Sequence, residues 1–159
     1  MRPFPEYGVK GMMRCNGRII GVWGLLLITL VIGGALRFQS LDWDEGAHQH
    51  PDERYMTMVA SALEMPSSPG AYFSPEASPC NPAHRGYAEY AYGTAPLFLA
   101  RWLGERIGYT DYQHVYMAGR AMSAGLDLLT VLLVFLTGRL FLSRGYAVLG
   151  AAFYALTTA

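Results

Sequence analysis

Residues 19–36 read IIGVWGLLLITLVIGGAL, an apolar run without one charge, continued by Arg37 and Phe38. A helix needs about 20 predominantly apolar residues to cross a hydrocarbon core about 30 Å thick, so residues 19–38 are predicted to form transmembrane helix 1. A cleaved signal peptide is the competing reading, because Gly33 and Ala35 are small enough for a cleavage site. The long polar segment ahead of the run, and a run longer than the roughly 7–15 residues of a signal core, favour the span.

Composition points the same way. Over the 159 residues 52% are apolar and only 15% charged, against about 25% charged in soluble domains. The apolar residues concentrate in 19–36 and from 126 onward, leaving a polar stretch rich in Pro, Gly and aromatic residues between them. A net charge of zero and the lack of any Lys/Arg run or RNA-binding motif set nucleic acid aside as a partner. Cys15 and Cys80 fall on opposite sides of the predicted span, where they cannot pair, and no N-x-S/T sequon is present.

The basic residues give the orientation. Arg2, Lys10, Arg14 and Arg18 precede the run with only Glu6 against them, which makes residues 1–18 a cytoplasmic tail and puts the following loop outside. The next apolar block, GLDLLTVLLVFLTGRLFL (125–142), ends in Arg139 and Arg144, again cytoplasmic anchors. With an outer extension it becomes transmembrane helix 2 over 112–142. Residues 145–159 start a third helix heading outward but stop short of a span, which suggests a fragment of a longer multi-pass protein in the plasma membrane. The expected fold is an all-α integral membrane protein with a long first extracytoplasmic loop, 39–111, containing two amphipathic juxtamembrane helices.

The first of these, near 51–65, begins with Pro51, Asp52 and Glu53, residues suited to a helix N-terminus. It sets Tyr55, Met56, Val59, Ala60 and Leu63 on one face. The second, near 95–108, starts around Pro96 and carries Leu97, Leu99, Ala100, Leu103 and Ile107. Trp102 and Tyr109 suit the headgroup level. Between the two, the turn-rich, aromatic composition is that of an ordered loop. Arg85, Arg101 and Arg106 read as surface anchors, and His84 and His114 as polar loop residues.

The chemistry-bearing stretch is LDWDEGAHQHPDERY, residues 41–55, with five acids and two histidines just beyond the first span. Asp42, Asp44, Glu45, Asp52 and Glu53 are explained as a solvated loop and a favoured helix start. They are equally suited to supply a carboxylate base that takes a proton from an acceptor hydroxyl. His48 and His50 with Asp52 and Glu53 make an H-x-H-x-D-E cluster that could bind a divalent metal, though nothing in the sequence requires one. Arg120, near the outer end of the second span, must snorkel, pair with an acid or face a polar cavity. Its guanidinium suits a phosphate leaving group, and pairing with a loop carboxylate is the alternative. Asp127 must face protein or a cavity.

The order of a first span, D-E acids, HPDER (50–54), an amphipathic helix, a Pro-rich loop, YGTAPLF (92–98) and GRAMSAGLDLLTVLLVFLTGRLF (119–141) resembles the N-terminal part of bacterial GT-C membrane glycosyltransferases. These are relatives of the protein O-mannosyltransferases and lipid A aminoarabinose transferases, in the dolichyl-phosphate-mannose-protein mannosyltransferase-like superfamily (glycosyltransferase family 39-like). The resemblance implies an integral membrane enzyme that passes a sugar, with inversion, from a polyprenyl-phosphate donor to an acceptor on the outer face. It implies a catalytic aspartate at Asp52 with Glu53, Asp44 with Glu45 as the rival pair, and Arg120 near the donor phosphate. It makes 96–108 the second juxtamembrane helix. Relatives have many more spans and bind donor lipid largely beyond the end of this chain, so activity is expected of the longer protein. The alternative from another class is a non-enzymatic membrane protein, a transporter fragment or assembly factor that uses the loop for binding.

Overall fold

The computed structural model describes residues 9–157, with side chains from residue 20 onward. The predicted tail, with the side chains of Arg2, Lys10, Arg14, Arg18 and Cys15, lies outside the described side chains. Among the described residues every element is helical: α1 (Val9–Phe38), α2 (Pro51–Ala62), the single turn α3 (Pro69–Tyr72), a 3-10 turn (Pro82–Arg85), α4 (Thr94–Ile107), α5 (Val115–Phe141) and α6 (Arg144–Thr157). The first helix starts at Val9, earlier than the predicted span, because residues 9–18 contain no proline to interrupt it.

Among the described residues two helices are long and apolar enough to cross a membrane, Ile20–Phe38 and Val115–Phe141. Only 11% and 17% of their apolar windows are buried, the reverse of a soluble core helix, whose apolar surface is covered.

The chain divides into two compact units, one formed by Met1–Gln39 with Leu126–Ala159 and the other by Ser40–Gly125. In the first, Leu26, Val131, Phe135 and Val148 are buried with Ala147, Ala151 and Ala155. The three alanines recur every fourth residue and so form one stripe along α6. Ala155 faces Gly33 of α1, and Ala147 faces Gly138 of α5, where an added methyl would sit 3.3 Å from the alanine Cβ in each case. Small residues on both sides let helix backbones approach closely, the packing device of helices in lipid. Trp23 and Phe135 add an edge-to-face pair at 5.7 Å.

The same unit satisfies the ionisable groups of its apolar helices. Arg37 forms an ion pair with Asp127 and donates to the carbonyl oxygens of Gly33 (3.0 Å) and Ala155 (2.8 Å). The Tyr154 hydroxyl donates to Asp127 at 2.6 Å. Asp127 thus has the polar partners that a carboxylate in an apolar helix requires.

In the second unit Val59, Ala60 and Leu63 of α2 pack with Leu97 of α4 and Val115 of α5, flanked by Tyr55, Tyr87, Tyr90 and Phe98. Full burial of such an aliphatic side chain is worth roughly 1.5–3 kcal/mol. Helix α2 ends at Ala62, three residues before the predicted boundary. Leu63 is extended, and Met65 precedes Pro66, which disfavours the helical conformation at Met65. Helix α4 ends on Gly108, whose φ of 81° is the left-handed cap that glycine adopts without strain. Within the ordered loop, Ser68 and Asn81 cap α3 and the 3-10 turn through their side chains. Cys80 is buried there as a free thiol, pushed above its ordinary pKa by that burial.

One expectation in this unit fails. Arg101 is no surface anchor: it is 7% exposed, donates to the carbonyls of Ala60 (3.3 Å), Ser61 (3.1 Å) and Thr110 (2.8 Å), and meets Glu105 at 2.9 Å. At the end of α2 the Ala60 carbonyl also accepts from the Leu63 amide at 3.3 Å, and Arg101 adds a buried donor to it and to the Ser61 carbonyl. Arg85 is half-buried and pairs with Glu64 at 3.0 Å, whereas Arg106 is exposed and lies 4.8 Å over the Trp102 ring.

Candidate functional site

The two acidic pairs predicted as rivals are each split by the fold. Asp44, from the segment after α1, and Glu53, from the first turn of α2, converge on Arg120 of α5. Arg120 Nε and Nη2 donate to the two oxygens of Glu53 at 2.6 and 2.8 Å, a fork-to-fork pair. Its Nη1 donates to the Leu41 carbonyl at 2.7 Å and stands 2.9 Å from Asp44 Oδ1. The Asp44 side chain is fully enclosed, with that of Arg120 at 11% exposure. The guanidinium holds the Asp44 carboxyl down to about 2. Pairing with loop carboxylates, the alternative to phosphate contact in the sequence, is therefore how Arg120 is engaged here.

Aromatic rings surround this group. Tyr116, one turn before Arg120 on α5, lies 4.7 Å from the guanidinium, and exposed Trp43 lies 5.4 Å from it. The Tyr116 hydroxyl donates to Asp42 at 2.6 Å. A residue four positions from Arg120 shares its helix face, so the spacing alone could have pointed to Tyr116.

The segment that delivers Asp44 is strained. Glu45 and His48 have φ of 50° and 47°, and Gly46 has 73°. This is the left-handed region, disfavoured for residues with a Cβ. At Gly46 the lack of a Cβ lets the chain adopt this region without strain. The Gln49 amide donates to Asp44 Oδ2 at 3.2 Å and the Ala47 amide to the Asp44 carbonyl at 2.9 Å. Arg54 clamps the His48 carbonyl with two hydrogen bonds of 3.1 and 3.0 Å.

His48 itself is 3% exposed, and neither ring nitrogen has a hydrogen-bond partner. Its ring packs between Tyr112 (4.4 Å) and Tyr116 (5.0 Å). A buried polar group left without a partner costs about 1–3 kcal/mol. His50 is exposed at the start of α2. The fold does not bring the two histidines to a shared ion, and among the described residues no three His, Cys, Asp or Glu side chains are grouped as a metal site.

The remaining members of the two pairs point elsewhere. Asp52, exposed in the first turn of α2, accepts a hydrogen bond from the Tyr92 hydroxyl at 2.8 Å. It forms no ion pair among the described residues. Tyr92 belongs to a group of rings with Tyr55 and Tyr90, centroids 5.8–6.4 Å apart, and the Asp52 carboxylate pushes its phenol pKa up. Glu45 is exposed in the strained segment. His114 is an exposed partner of Asp111, which it holds below the usual carboxylate range. His84 braces the loop through the Ser78 carbonyl at 3.2 Å. An open cavity of about 320 Å³, lined among others by Tyr72, Phe73, Cys80 and Phe98, contains none of the candidate catalytic, phosphate-binding or metal-binding residues.

Comparison of the chain with family models, curated proteins and solved structures returns no match.

Proposed function

We propose that the chain is the N-terminal part of a multi-pass plasma-membrane glycosyltransferase. It would take a sugar from a polyprenyl-phosphate donor and pass it, with inversion, to an acceptor outside the membrane, the N-terminus lying in the cytoplasm. Support comes from two span-length apolar helices together with an acidic cluster placed directly after the first of them.

The observation that carries the reading is the inequality of the four acids. A general base needs an ionised carboxylate with free lone pairs that an acceptor hydroxyl can reach. Asp44 and Glu53 are committed to Arg120. Asp52 is exposed, sits on a rigid helical turn, and is oriented by a single neutral donor, Tyr92. We therefore assign Asp52 as the base. Glu53 would orient Arg120 rather than the acceptor, and Arg120 would meet the donor phosphate. This last role requires the guanidinium to exchange a carboxylate for a phosphate, which its planar fork accommodates equally well.

The test is sugar transfer from a polyprenyl-phosphate donor in membranes that contain the protein. Asp52→Asn should lower turnover by about 100-fold or more, the usual worth of a positioned base, with membrane insertion unchanged. Undiminished transfer by that variant would sink the assignment, and loss of transfer in Asp44→Asn alone would move the base to the other pair.

A further inference from the structure

The contacts of Arg120 are unequal in a way that bears on how a ligand could reach it. On one edge Glu53 makes two hydrogen bonds. On the other, Asp44 Oδ1 lies 2.9 Å from Nη1 yet has no hydrogen-bond partner, although it is buried. The contact is close but poorly aligned, short of the geometry that the two bonds to Glu53 achieve, and the other carboxylate oxygen is held by the Gln49 amide.

The backbone that holds Asp44 in place is also unfavourable. Two non-glycine residues within four positions, Glu45 and His48, adopt left-handed φ. The same segment buries the imidazole of His48 with both nitrogens unpartnered. Such outliers persist only where surrounding contacts enforce them, and they cluster at ligand clamps and switches. Strain, an orphaned imidazole and an imperfect ion pair thus fall in one ten-residue stretch, and each would be relieved if that stretch moved away.

We propose that residues 41–50 form a displaceable strap, in which the Asp44 carboxylate occupies the edge of Arg120 that a phosphate anion takes when the strap swings out. Glu53 stays in place and keeps the guanidinium oriented. The Leu41 carbonyl leaves with the strap and frees a second donor on the same edge. Removal of His48 from between Tyr112 and Tyr116 returns its nitrogens to water. This rests on the reading of Arg120 as a phosphate contact and adds the means by which the site is closed to other anions.

The experiment measures affinity of the full 159-residue chain, in dodecyl maltoside micelles that carry no phosphate, for farnesyl phosphate and for inorganic phosphate. Arg120→Gln should abolish binding. Asp44→Asn, which removes the competing charge, should tighten it about 10-fold, a change of the size expected for losing one charge-assisted contact. His48→Phe, which fills the same slot without unpaired nitrogens, should weaken it several-fold by stabilising the closed strap. Hydrogen exchange of the wild-type chain supplies a readout that needs no variant: the Gln49 amide, held by Asp44 Oδ2, should exchange faster once farnesyl phosphate is bound.

Loss of binding in Arg120→Gln combined with unchanged or weaker binding in Asp44→Asn would overturn the strap while leaving the phosphate contact standing. An unchanged or slower Gln49 amide would overturn it too. If neither the wild type nor Asp44→Asn binds either probe, the phosphate contact falls and the strap with it. Equal affinity for the two probes would support the strap but count against a lipid-linked donor.

Discussion

Arg101 and Arg120 stand in the same unit and are both largely enclosed, yet their acceptors differ in kind. Arg101 donates to three backbone carbonyls, Ala60, Ser61 and Thr110, besides Glu105. Those carbonyls are neutral and fixed to the main chain, two of them at the end of α2. Arg120 is engaged mainly by the side-chain carboxylates of Glu53 and Asp44. Carboxylates are mobile and carry a charge that another anion can replace. The first arrangement serves to complete a fold, and the second is the kind from which a binding site can be opened.

The strongest test of this contrast is Arg101→Met, which keeps the volume but removes the donor to the Ser61 and Thr110 carbonyls and the cation beside Glu105. It should lower stability by about 3 kcal/mol, read by chemical denaturation in detergent, because it removes the charge-assisted hydrogen bonds of a largely buried guanidinium and its ion pair with Glu105. Gly104→Ala addresses the same corner from the backbone. A Cβ there would lie 2.3 Å from the Tyr109 carbonyl oxygen, so α4 and the 108–114 turn must part, at a cost of about 2 kcal/mol in the same assay. Glu53→Gln should cost less, about 1 kcal/mol, since its partly exposed pair is weakened rather than orphaned. A loss as large as that of Arg101→Met would erase the distinction between the two arginines.

The smallest effect concerns pH. The carboxyl of Asp44 is held down to about 2 from an ordinary 3.8, so the folded state favours its ionised form. Its contribution is complete above about 3.8 and disappears as pH falls through about 2. The difference in melting temperature between the wild type and Asp44→Asn should therefore be constant at mildly acidic pH and shrink across that window. A difference that grows on acidification would contradict the pairing with Arg120.

The helical plan and both span-length segments are legible because a long uncharged apolar run is compatible with little besides a helix in lipid or in a core, and proline and glycine mark where helices start and stop. Arg101 is hidden from the sequence for a physical reason. The helical wheel of α4 places Leu99, Trp102 and Leu103 on one side, and an apolar side is ordinarily assigned to the core. Here Leu99, Trp102 and Ile107 are exposed, and the buried side consists of Leu97, Ala100, Arg101 and Gly104. Nothing in α4 alone announces that the end of α2 needs donors there. The acids and Arg120 stand out by type and position, but which acid reaches which partner depends on the turn from 41 to 50, whose left-handed residues include Glu45 and His48, unlike the glycines that usually signal such a turn. The enclosure of His48 follows from Tyr112 and Tyr116, more than sixty positions along the chain.

The alanine stripe of α6 has a consequence for how that helix finds its place. Ala147, Ala151 and Ala155 have no rotamers to select, so docking them restricts no side-chain torsion. Along this stripe position is encoded by size, a methyl set against a glycine. A slip of one residue would bring Tyr146 or Val148 to the spot facing Gly138, where even a methyl on the glycine would crowd Ala147. The seam therefore works as a gauge, refusing the neighbouring axial settings of α6 by bulk, while the bonds of Tyr154 and of the Ala155 carbonyl reward the one it admits.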